Sequence, residues 1–78
     1  MDELKRKLIE LKALLESQNN GIAHFIAKII VKIDEKDNSF IDDILGSYRI
    51  TDFMHYKAAF LFDKIWSIAN NWKMNSEY

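Results

Sequence analysis

Leu4, Leu8, Leu11 and Leu15 stand four, three and four residues apart, and the same intervals recur at Ile22, Ile26, Ile29 and Ile33. Side chains so spaced share one stripe of an α-helix but alternate between the two faces of a strand. Two helices with matching seams, joined through Ser17-Gln18-Asn19-Asn20-Gly21, form an antiparallel hairpin around a common core. Asn19 or Asn20 is placed to cap the second helix. The rest of the composition agrees. The chain has no proline, two glycines, and Val31 and Thr51 as its only valine and threonine. Tight β-turns therefore lack their usual residues, and an all-α fold follows.

Two further helices complete the reading. Ser39-Phe40-Ile41-Asp42 has the spacing of a capping box, and Ile41, Ile44 and Leu45 give a short third helix that Gly46 would close. Thr51 is the next cap, with Asp52 in a favourable first turn. The last helix then carries Met54, Ala58, Leu61, Ile65, Ile68 and Trp72 on one stripe, and Ala59, Phe62, Trp66 and Ala69 beside it. A helix this apolar calls for enclosure from more than one side. The expected architecture is a compact antiparallel all-α bundle of four helices, about 2–17, 21–35, 39–48 and 52–73, with the fourth central. The chain reads as one domain, and the tail from Met74 to Tyr78 as frayed.

At 78 residues and 9.2 kDa, area scaling gives about 13,300 Å² unfolded against about 4,900 Å² folded, enough for one small core. There is no cysteine, so disulfides and thiolate metal sites are excluded. The formal charge of −1 lacks the basic excess of proteins that grip a phosphate backbone, so no direct nucleic-acid binding is expected. No run reaches the roughly 18 apolar residues of a membrane span, and Met1 to Lys7 lead into an amphipathic pattern rather than an export signal. A cytoplasmic protein without membrane contact is the expectation.

Little in the chain points to chemistry. His24 and His55 open the second and fourth helices; Asp52 and His55 have i, i+3 spacing, but two ligands do not close a metal site. The serines fall in caps, loops and helix faces, and so short a chain without a sheet leaves little room for a pocket of about 300 Å³. Neither catalytic residue, cofactor nor metal is expected. The segment Asp34 to Tyr48 is more informative. Asp34, Glu35, Asp37, Asp42 and Asp43 against Lys36 give it a net charge of −4. Such a patch, bordered by an aromatic ring, suits steering and anchoring of a basic partner. Asp42 and Asp43, being adjacent in a helix, point about 100° apart and do not share a site. The same acidic third helix could not face phosphates, which removes a helix-turn-helix reading. The last helix also carries six large rings, of which Tyr56, Phe60 and Trp72 are the first candidates for an apolar interface.

Several stretches resemble a family of small bacterial helical proteins. They are Leu14-Leu15-Glu16 before a polar break, the helix from Phe25 to Ile33, Asp37-Asn38-Ser39, the run from Ile41 to Tyr48, and a final helix opening near Thr51-Asp52. Some members of that family sit in the setting of immunity proteins of polymorphic toxin systems. The resemblance implies an immunity-like or antitoxin-like inhibitor, with a basic toxin or nuclease domain as partner. The expected function is therefore non-catalytic protein binding. Asp34, Asp37, Asp42 and Asp43 would steer and Tyr48 would anchor. That expectation requires those carboxylates to be free of lysines and arginines of the same molecule. The alternatives are a homodimeric structural module, using apolar area left on the first and fourth helices, and a mobile-element inhibitor that mimics nucleic acid.

Overall fold

The computed structural model describes residues 2–75, and in it the hairpin forms as the seams require. Helix α1 (Asp2–Ser17) packs along α2 (Ile22–Asp34). All four seam leucines of α1 are fully buried, as are Ile26 and Ile29, with Ile33 almost so. A short α3 (Phe40–Leu45), a 3₁₀ helix (Tyr48–Phe53) and α4 (Tyr56–Asn75) follow. No strand occurs among the described residues. Helix α4 lies against α1, α3 and the 3₁₀ helix, and Ala58, Phe62, Ile65 and Ala69 close the core from its side. Ser76 to Tyr78, part of the tail read as frayed, lie outside the described residues.

Both helices of the hairpin end in the same device. Asn20 N–H donates to Leu15 O (2.9 Å) and Asn19 N–H to Glu16 O (3.1 Å); Asp37 N–H donates to Lys32 O (2.8 Å) and Lys36 N–H to Ile33 O (3.1 Å). This double bond pattern needs a left-handed residue at the turn, and Asn19 (φ 54°) and Lys36 (φ 58°) supply it. Gly21 and Gly46, in contrast, are right-handed (φ −62° and −82°). Gly46 therefore closes α3 at the expected place but without the left-handed backbone of a glycine cap. A Cβ there would lie 3.1 Å from Asp42 O, whereas one at Gly21 would meet nothing within 4 Å. Lys36→Gly relieves a left-handed side chain, and Gly21→Ala removes freedom from the unfolded chain. The pair is expected to add about 1–2 kcal/mol, roughly 4–16 °C in Tm by calorimetry.

Three cap and boundary expectations are corrected. Ser39 does not cap α3: its backbone is helical (φ −64°, ψ −11°) and its side chain makes no cap bond, because a capping residue needs an extended backbone. The Asp37 carboxylate takes over by accepting Ser39 N–H (3.0 Å). Second, the third helix stops at Leu45 rather than 48. The Ser47 hydroxyl turns back onto Asp43 O (2.6 Å) and Ile44 O (3.1 Å), satisfying carbonyls that a longer helix would use. Third, Thr51 does not open the last helix. It lies within the 3₁₀ helix, its hydroxyl donating to Tyr48 O (2.9 Å). Met54 is extended (ψ 149°), and the first α-helical bond runs from Ala59 N–H to His55 O (2.9 Å). At the other cap the expectation holds. Asn20 Oδ1 accepts Ile22 N–H (2.9 Å), and its Nδ2 donates to Phe53 O (2.9 Å), tying the hairpin loop to the end of the 3₁₀ helix.

Candidate functional site: an internally paired acidic segment and an open aromatic face

The aspartates of the acidic segment come from three places. Asp34 ends α2, Asp37 sits in the following turn, and Asp42 and Asp43 lie in the first turn of α3. Three of the four meet a lysine of the same chain. Asp34 pairs with Lys5 of α1. Asp43 accepts from Lys32 of α2 at 2.5 Å, and Asp42 from Lys73 of α4 at 2.7 Å. The angular separation of adjacent helical residues thus sends Asp42 and Asp43 to different helices, and α3 is held between them. Counting the three paired lysines, the net charge of −4 falls to −1. The condition that these carboxylates be free of the molecule's own lysines is not met for Asp34, Asp42 and Asp43.

Local electrostatics follow the same contacts. The hydrogen bond to Asp43 raises the Lys32 pKa above its ordinary value, with the Asp43 and Asp37 charges adding to it. Ser39 N–H holds the Asp37 carboxyl below the usual carboxylate range. Tyr48 is likewise engaged. Its hydroxyl donates to Asp63 Oδ1 (2.8 Å), which pushes its pKa up. Its ring meets Trp66 edge-on at 5.6 Å and 72°, and Trp66 Nε1–H donates to Leu45 O (3.2 Å). The ring expected to anchor a partner thus packs the 3₁₀ helix onto α4 while Tyr48 stays 45% exposed.

The apolar candidates divide differently. Tyr56 and Phe60 are 78% and 63% exposed, whereas Trp72 is half-buried against the core. The reason is angular. The buried positions of α4 occupy one side, and Tyr56 and Phe60, one turn apart, lie opposite. Three elements, α1, α3 and the 3₁₀ helix, enclose α4, and the arc that carries Tyr56 and Phe60 stays open. Phe53, which the sequence did not rank with these, is 75% exposed at the end of the 3₁₀ helix. Lys64 Nζ sits 4.9 Å from the Phe60 ring centre, over its face. A run of rings beginning before the helix was the available signal.

The surface has more relief than its length implies. A cleft of about 510 Å³, widely open to solvent, separates the hairpin loop from the start of α4; Gln18, Asn20, Asp52 and His55 are among the side chains lining it. No serine, threonine, cysteine or lysine lines it. Among the described residues no three His, Cys, Asp or Glu side chains converge on a point that could hold a metal ion, and no helix is long and apolar enough to cross a membrane. Comparison of the chain with protein-family models, curated proteins and solved structures finds no match.

Proposed function

We propose that the protein is a non-catalytic binding module that docks on another protein through Phe53, Tyr56 and Phe60. The supporting observation is that the core is already closed beneath these rings. Fifteen hydrophobic residues from α1, α2, α3 and α4 pack together with 7% exposure or less, so folding does not need the three aromatics. Large rings held in water by a finished core are the composition of an interface centre. Arg49, Asp52, Lys57, Asp63 and Lys64 are exposed nearby in sequence and supply a mixed polar rim. An immunity-like inhibitor steered to a basic toxin or nuclease domain by Asp34, Asp37, Asp42, Asp43 and Tyr48 has less support, because that charge is largely neutralised within the chain.

Affinity capture from the native cell tests both versions with three baits. One is the wild type, one carries Phe53→Ser, Tyr56→Ser and Phe60→Ser, and one carries Asp42→Asn and Asp43→Asn. Asparagine avoids setting a new lysine beside Lys32 and Lys73. A protein captured by the wild type is then purified and titrated. The aromatic variant is expected to lose at least about a hundredfold in affinity, the loss of a hot-spot cluster. The aspartate variant should change by less than about threefold. The reverse ranking returns the contact to the acidic segment.

A further inference from the structure

A second face, on the opposite components of the fold, is organised differently from the aromatic one. The outer side of the α1–α2 hairpin carries a groove of about 350 Å³ lined in part by Ile9, Ala13, Ala27 and Val31. Ile9 and Val31 are 50% and 51% exposed, and the two alanines let another backbone approach closely. Lys12 and Glu16 also line the groove, Lys28 lies exposed beside Val31, and further charge stands at both ends. Along α1, Arg6 lies at one end and Glu16 at the other; along α2, His24 lies beside Glu16 and Glu35 lies at the far end. Neither Arg6 nor Glu35 is in an ion pair among the described residues, and Glu16 has a 3.5 Å contact to Lys12 one turn before it.

The two rows have nearly the same length. Ten residues separate Arg6 from Glu16 and eleven separate His24 from Glu35, about 15 and 16.5 Å at the helical rise. Their midpoints coincide as well. The α1 midpoint is Leu11 and the α2 midpoint lies between Ile29 and Ile30. The Lys5–Asp34 pair sets the antiparallel register and places residue 11 opposite residue 28, within about 2 Å of the second midpoint along the axis. One two-fold axis lying in the face, across both helices, therefore relates each row to itself end for end. We infer that this face takes a second copy of the chain, α1 on α1 and α2 on α2, both antiparallel. Ile9 of each copy meets Ala13 of the other, and Ala27 and Val31 meet the methylene stems of Lys32 and Lys28. Arg6 of one copy meets Glu16 of the other, and His24 meets Glu35. Isologous contact of this kind uses every pair twice. It needs only the hairpin, so the aromatic face stays open and the inference does not depend on the proposed function.

Sedimentation of the full chain between about 1 µM and 0.5 mM tests it. A monomer–dimer equilibrium is expected for the wild type. Val31→Glu should leave a monomer with unchanged helicity and melting, which separates loss of contact from loss of fold. Arg6→Glu and Glu16→Arg each bring like charges together twice, and each is expected to weaken the dimer about tenfold. The two together restore opposite charges and should return the dissociation constant to within about threefold of wild type. A strict monomer over the whole range overturns the inference. So does a dimer that the combined charge exchange fails to restore, or one abolished by Phe53→Ser, Tyr56→Ser and Phe60→Ser while Val31→Glu leaves it intact.

Discussion

Phe62→Ala is expected to lower the unfolding free energy by about 3–5 kcal/mol, the cost of deleting a buried ring and leaving its cavity. A chain of this length has only about 4–12 kcal/mol to lose. The variant should therefore sit close to its midpoint in mild urea, its transition shifted with little change in slope. The size of the effect comes from position. Phe62 is fully buried on the side of α4 that faces the core. Phe60, two residues earlier, is 63% exposed on the open side with Lys64 over its ring, so Phe60→Ala should cost less than about 1 kcal/mol. Similar losses in both variants would mean that α4 is rotated from the orientation described.

Phe40→Ala should also cost about 3–5 kcal/mol, but it is expected to fail in a different way. Helix α3 has six residues, and a helix far shorter than about 12 residues does not hold itself together in water. Burial of Phe40, Ile41 and Ile44 maintains it. The ion pairs of Asp42 and Asp43 are surface contacts and add little. Without the ring, α3 should detach before the rest melts. Trp66 reports this directly, since its indole donates to Leu45 O at the end of α3 and its ring packs on Tyr48. In a Trp72→Phe background, Trp66 fluorescence of the Phe40→Ala chain should change at lower urea than far-UV circular dichroism. Phe62→Ala should show coincident transitions by both probes. Coincidence in Phe40→Ala would show that α3 unfolds only with the whole domain.

The helices differed in how far they could be read ahead. The hairpin was legible because its seams are regular and its loop is short; helical period is a local property carried by Leu4 to Leu15 and Ile22 to Ile33. The spacing at Ser39 does not make a capping box because the same four residues serve equally well inside a turn that Asp37 begins. The sequence pattern sets the start of α4 four residues early for a related reason. Phe53 and Met54 continue the apolar pattern backwards, and a 3₁₀ helix with no buried residue leaves no period of its own to mark the change. The aspartates were the largest gap. Lys5 and Lys73 lie 29 and 31 residues from their carboxylate partners, so no local count of charge includes them. Among the candidate rings, Tyr56 and Phe60 are exposed, while Trp72 is half-buried against the core.

What the residues determined by themselves was the class of fold and the α1–α2 hairpin, since backbone propensity and side-chain period act within a few turns of one helix. Tertiary packing decided which side of α4 faces inward, and hence which aromatics meet water. It also decided that lysines from three helices would neutralise the acidic segment. Those outcomes depend on distances between elements far apart in the chain, where packing of the shared core, rather than any local preference, sets the geometry.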